Sequence, residues 1–113
     1  MIVTAWNNGA HSRNGSGYGF RVHPTDRDAL FSKDWTNLFL QIEGQGPEIE
    51  VAVKAEGFWA ETPAPLVCPP VLGKWLHLNG LAPWGRGNAP VFILEQVEGN
   101  HFRVEKAAKR HGA

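Results

Sequence analysis

The chain has 113 residues, 42% hydrophobic and 19% charged, with 13 glycines and 8 prolines. That length buries one core rather than two, and the composition excludes a helical bundle or a disordered chain in favour of short elements joined by many turns. Eleven basic residues balance eleven acidic ones, which removes a strongly basic chain as an argument for nucleic-acid binding.

Cys68 is the single cysteine, so neither an intrachain disulfide nor a thiolate zinc cluster can form. The opening residues Met1 to Asn8 lack the basic start and long apolar run of a signal peptide or membrane span. A cytoplasmic protein with no membrane contact is expected.

Ile2, Val3, Ala5 and Trp6 open an extended segment ending at Asn7-Asn8-Gly9. A polar loop then leads into Tyr18-Gly19-Phe20-Arg21-Val22, whose alternation predicts a half-buried strand. Pro24 is expected to stop that strand, and Thr25 to cap a two-turn helix over 26–31 with Asp26 and Asp28 in its first turn. Leu38, Leu40 and Ile42 predict a strand within 35–43, and Gly44-Gln45-Gly46-Pro47 predicts a turn. Ile49, Val51 and Val53 then complete a hairpin with one wet face.

Beyond the loop 55–65, Leu66-Val67-Cys68 predicts a short strand that Pro69-Pro70 confine to an edge. Pro70 suits the first position of a helix with Val71, Leu72, Trp75, Leu76 and Leu78 as its apolar face and Gly80 as its left-handed stop. Val91 to Glu98 and His101 to Lys106 predict a final hairpin around Gly99-Asn100. Residues 107–113 are expected to form a flexible basic C-terminal tail. The fold class that follows is mainly β: one domain over 1–106, a small open or pseudo β-barrel of about seven short strands with two short helices at its ends.

The loop His11-Ser12-Arg13-Asn14-Gly15-Ser16-Gly17 carries the densest set of hydrogen-bonding groups. Its glycines admit close approach, and its amides, Arg13 and two hydroxyls suit a phosphate; a plain hairpin connection is the alternative. The Gly-Lys-Ser ending of a nucleotide-binding loop is missing, and His11, His23, His77, His101 and His111 stand at no metal-ligand spacing. No cofactor and no metal are therefore expected. A hydrolase built on His11 with Ser12 or Ser16 needs an orienting acid and an oxyanion site that the sequence does not place, so an enzyme ranks below a binding module and no catalytic residue is assigned.

Trp6, Trp35 and Trp75 fall in apolar patterns and read as core. Trp59 and Trp84 fall in loops, where an aromatic face stacks on a base or folds back as a lid, the latter favoured for Trp84. Residues 41–73 carry five glutamates against Lys54 alone, and residues 74–113 carry six cations against three glutamates, which leaves room for one basic face.

Two stretches resemble a known family. Arg27-Asp28-Ala29-Leu30-Phe31-Ser32-Lys33-Asp34-Trp35 leading into Leu38-Phe39-Leu40 is one; Trp75-Leu76-His77-Leu78-Asn79-Gly80-Leu81 with Phe92 beyond it is the other. Together with the element order from Thr4 to Glu105, they resemble the DNA-binding pseudobarrel of plant auxin-response-type transcription factors and of the effector domains of certain type II restriction enzymes. The resemblance implies two arms, Asn8 to Gly17 and Ala55 to Pro65, gripping the major groove of double-stranded DNA at a short sequence or modified base. His11, Ser12, Arg13, Asn14, Ser16, Trp59 and Thr62 are then the implied contacts, with Arg13 and Asn14 of the types that read guanine and adenine. The alternative is a small-ligand or protein-binding barrel with a pocket lined by Trp59 and Trp84.

Overall fold

Alternate inward-facing apolar residues on seven strands build a single sheet that wraps around its own core. The computed structural model describes residues 1–42 and 46–106. In chain order the elements are β1 (Ile2–Asn7), β2 (Tyr18–Val22), α1 (Pro24–Leu30), β3 (Asn37–Ile42), β4 (Ile49–Ala52), α2 (Ala55–Phe58), β5 (Leu66–Val67), α3 (Pro70–Leu78), β6 (Val91–Glu98) and β7 (His101–Lys106). The strand order is β4-β3-β7-β6-β1-β2-β5. All neighbours are antiparallel except β3 and β7, which run parallel with Leu40 opposite Phe102. The edge strands β4 and β5 approach each other, so the sheet is nearly closed as a barrel.

The interior is filled by side chains. Tyr18, Phe20, Leu38, Leu40, Val51, Phe92, Phe102 and Val104 are fully buried, each large one stabilising the fold by about 1.5–3 kcal/mol through lost water contact. Phe20 meets Phe92 edge-on at 5.5 Å, and Phe31 stacks on Phe102 at 5.2 Å. The mainly β pseudobarrel is thus the observed class.

Four local details depart from the sequence reading. Pro24 begins α1 rather than merely ending β2, because its fixed φ suits the first helical position; His23 is the N-cap, its Nδ1 accepting from the Thr25 N–H at 3.2 Å. A third helix, the single turn α2, lies inside the loop 55–65. On α3 the buried face is Leu72, Gly73, Trp75 and Leu76, while Val71 and Leu78 face outward. Cys68 lies beyond β5, its N–H donating to the Tyr18 carbonyl at 2.8 Å.

Gly80 ends α3 at φ +70, where Gly80 N–H donates to His77 O at 3.2 Å and Leu81 N–H to Leu76 O at 2.9 Å. Residues 43–45, which include the first half of the expected turn 44–47, and the tail 107–113 lie outside the described residues.

Candidate functional site

The β1–β2 loop is built by asparagines. Asn7 Oδ1 accepts from the Gly9 and His11 amides at 2.8 and 2.9 Å, and Asn7 Nδ2 donates to Gly17 O at 3.0 Å. Asn8 Oδ1 accepts from the Ala10 amide, and Asn14 Oδ1 from the Ser16 amide and hydroxyl. The Gly15 amide donates to Ser12 O at 3.0 Å. The Gly9, Ala10, His11, Gly15 and Ser16 amides are therefore committed inside the loop. Arg13 is exposed and points its charge outward with no ion pair among the described residues.

Helix α3 carries the loop. Gly15 lies directly against the backbone of Pro70 and Lys74, and Gly73 against Gly15 and the Tyr18 ring, an approach that only residues without Cβ permit. Next to it, Tyr18 Oη lies 3.2 Å from His11 Nδ1 and 2.9 Å from His77 Nε2. His11 adopts φ +48, a conformation disfavoured for most side chains by about 1–2 kcal/mol. Its ring is held edge-on against Trp84 at 4.7 Å. His11 is thus a half-buried clamp between Tyr18 and Trp84, and Trp84 is folded back as a lid.

The β4–β5 connection is fixed from below. Arg27 is 7% exposed, and its guanidinium donates to Phe58 O at 2.9 Å and Ala60 O at 2.8 Å. The same group sits 5.1 Å from the Trp59 ring, and Lys33 Nζ sits 5.5 Å from it. Trp59 therefore meets two of the protein's own cations, while its buried Nε1 lacks a partner among the described residues. Thr62 is exposed in the same connection. Among the described residues, no hydrogen bond, ion pair or ring contact joins this connection to the β1–β2 loop.

Between the two loops lies the outer face of β1, β2 and β5. Register places Trp6 opposite Gly19, and Gly19 opposite Val67; Gly19 itself is buried, the Leu66 carbonyl occupying the place of a Cβ. A cleft of about 600 Å³ opens there, walled by Trp6, Phe58, Pro65 and Val67 and lipped by Lys54 and Glu56. It is lined neither by Trp59 nor by Trp84. A second groove, of about 590 Å³, lies across the β6–β7 turn, where His101 stacks on Phe39 at 4.8 Å and pairs with Glu48 at 2.7 Å.

Charge is segregated along the same division. Residues 1–22 and 66–90 contain Arg13, Arg21, Lys74 and Arg86 and no Asp or Glu; all eleven acidic residues lie elsewhere. None of these four cations is ion-paired among the described residues, where the pairs are Arg27–Asp28, His101–Glu48 and Arg103–Glu95. Arg13 lies within the β1–β2 loop, the Lys74 backbone lies against Gly15, and Arg86 follows in sequence two residues after the Trp84 that covers His11. Comparisons with family models, curated proteins and solved structures find no match.

Of the residues singled out from the sequence, His11, Ser12, Arg13, Asn14 and Ser16 share one loop, and Trp59 and Thr62 share the other. Trp6, which reads as core in the sequence, lines the cleft beside the second loop together with Val67. Among the described residues, no cluster of three or more His, Cys, Asp or Glu is placed to hold a metal.

Cys68 is buried beside this face, and burial pushes its thiol from 9.0 up to about 12. Below pH 9 the thiol is protonated in both folded and unfolded chains. Above it the unfolded chain ionises first, so stability is lost progressively between pH 9 and about 12. Burial raises the Tyr18 phenol as well and acts in the same direction. Denaturant titrations at pH 8 and pH 10 should show a smaller alkaline loss for Cys68→Val than for the parent; equal losses would remove Cys68 as a cause.

Proposed function

We propose that this chain is a double-stranded-DNA-binding module that sets the β1–β2 loop and the β4–β5 connection against the major groove, with the outer face of β1, β2 and β5 between them. The observation that carries the reading is the segregation of Arg13, Arg21, Lys74 and Arg86 into acid-free segments that fold together. Cations free of ion pairs in acid-free segments create a local positive field about the β1–β2 loop on a chain whose total charge is zero. The loop that bears Arg13 is also anchored to α3 rather than loose, which lowers the entropy cost of holding that charge against a phosphate. The resemblance in element order and the nearly closed pseudobarrel are consistent with it.

The test is fluorescence anisotropy with a mixed-sequence labelled duplex across a salt series. The parent should bind with an affinity that falls steeply with salt, and the triple variant Arg13→Ala, Lys74→Ala, Arg86→Ala should reduce the log–log slope by about 0.9 for every phosphate contact removed. Binding that ignores salt, or a triple variant with the parent slope, would refute the reading. Salt-insensitive uptake of a neutral apolar probe by the Trp6–Val67 cleft would instead favour a small-ligand domain.

A further inference from the structure

Phosphates require donors, and the cleft between Trp6 and Val67 offers almost none. Its walls are Trp6, Phe58, Pro65 and Val67, and Val67 is 52% exposed. Between them Gly19 is buried against the Leu66 carbonyl, and β2 contributes no side chain to the walls. At the lip stand one cation and one carboxylate, Lys54 and Glu56, whose side chains make no ion pair among the described residues. An unpaired carboxylate opposes phosphate contact and calls for a hydrogen-bond donor instead.

The major-groove edge of duplex DNA displays these complementary groups side by side. The C5 methyl group of a pyrimidine is the apolar feature of that groove, and cytosine N4 is a donor that a carboxylate accepts from. Guanine, across the same pair, presents O6 and N7 acceptors suited to a lysine. Thymine places its methyl group beside the O4 acceptor, which an ionised Glu56 would repel. An RNA helix has a major groove too narrow for such a wall.

Resting on the DNA-binding reading above, we propose that the cleft between β1, β5 and α2 recognises 5-methylcytosine in a cytosine–guanine pair. Trp6 and Val67 enclose the methyl group, Glu56 accepts from N4, and Lys54 faces the guanine. No bond is made or broken; the site reads the base within the duplex.

The experiment compares the full chain on three labelled duplexes of one mixed sequence: unmodified, with 5-methylcytosine for every cytosine, and with deoxyuridine for every thymidine. The methylated duplex should bind at least about fivefold tighter than the unmodified one, and the thymidine exchange should change nothing. Val67→Ser should bring the methylated-to-unmethylated ratio towards one. Glu56→Ala should weaken binding to both duplexes, because cytosine N4 donates with or without the C5 methyl group, whereas removing a carboxylate that merely repels phosphates would raise both affinities. Trp6→Ala should behave like Val67→Ser; because Val67 is the more exposed, its variant decides the matter if Trp6→Ala fails to fold.

Equal affinity for methylated and unmethylated duplexes would overturn the proposal while leaving the DNA-binding reading in place. A preference lost only on the thymidine exchange would overturn it in favour of thymine. No binding to any duplex at low salt would overturn both.

Discussion

Gly73→Val is expected to destabilise the fold by about 2–3 kcal/mol, the upper part of the range for overpacking a filled site, and to lower the melting temperature by about 10 °C or more. A Cβ at this position would press on the Gly15 carbonyl oxygen and lie 2.5 Å from both Gly15 Cα and the Tyr18 ring. Two of these three obstacles are backbone, so no rotamer change relieves them. Helix propensity acts the other way, but valine recovers only part of the about 0.8–1.0 kcal/mol that separates glycine from alanine in a helix interior, and the clash exceeds that gain. The strain is released by lifting the β1–β2 loop from α3, which also separates His11 from Tyr18 and Trp84. Gly80→Ala is the control: Gly80 has φ +70 with open space around it, so its cost should stay near 1 kcal/mol. Thermal melts distinguish them, and faster tryptic cleavage after the exposed Arg13 should report the lifted loop. A Gly73→Val protein melting within about 2 °C of the parent would mean that the loop and helix are not joined in this way.

That joint connects residues 58 positions apart, and the limits of the sequence reading lie in such non-local contacts. The β6–β7 hairpin was legible to the residue, because eight and six extended residues flank a Gly99-Asn100 turn that closes locally. Gly80 was legible as a helix stop for a similar reason. Trp6 was misread as core although the signal was present: Val3 and Ala5 point inward, so period two sends Trp6 outward. The acid-free segments were equally visible, but only the fold unites residues 1–22 with 66–90. By contrast, neither the parallel pairing of β3 with β7 nor the bond from Tyr18 to His77 has a local pattern. The short helix α2 was hidden because Gly57 in a four-residue turn is a poor helix former, held in place by Arg27 from another element.

Arg27→Met is expected to cost about 2–5 kcal/mol, because two carbonyls each lose their donor at about 1–3 kcal/mol. Methionine preserves much of the apolar stem but donates nothing, so Phe58 O and Ala60 O lose their shared donor where water has little access. An unsatisfied buried carbonyl costs about 1–3 kcal/mol, and the cation over Trp59 is lost as well. The neighbouring ion pair contributes little of this: the Asp28 side chain is 62% exposed, and such pairs are worth about 0–1 kcal/mol. Asp28→Asn should therefore shift the denaturation midpoint only slightly while Arg27→Met shifts it strongly. The split between them assigns the stabilisation to the carbonyl contacts rather than to charge pairing. Since those carbonyls belong to the β4–β5 connection, the same variant should hasten proteolysis after Lys54 and weaken any partner held between the two loops. A loss below about 1 kcal/mol would show that the connection is held by its apolar contacts, Phe58 against Phe31 at 5.2 Å foremost, and not by the buried guanidinium.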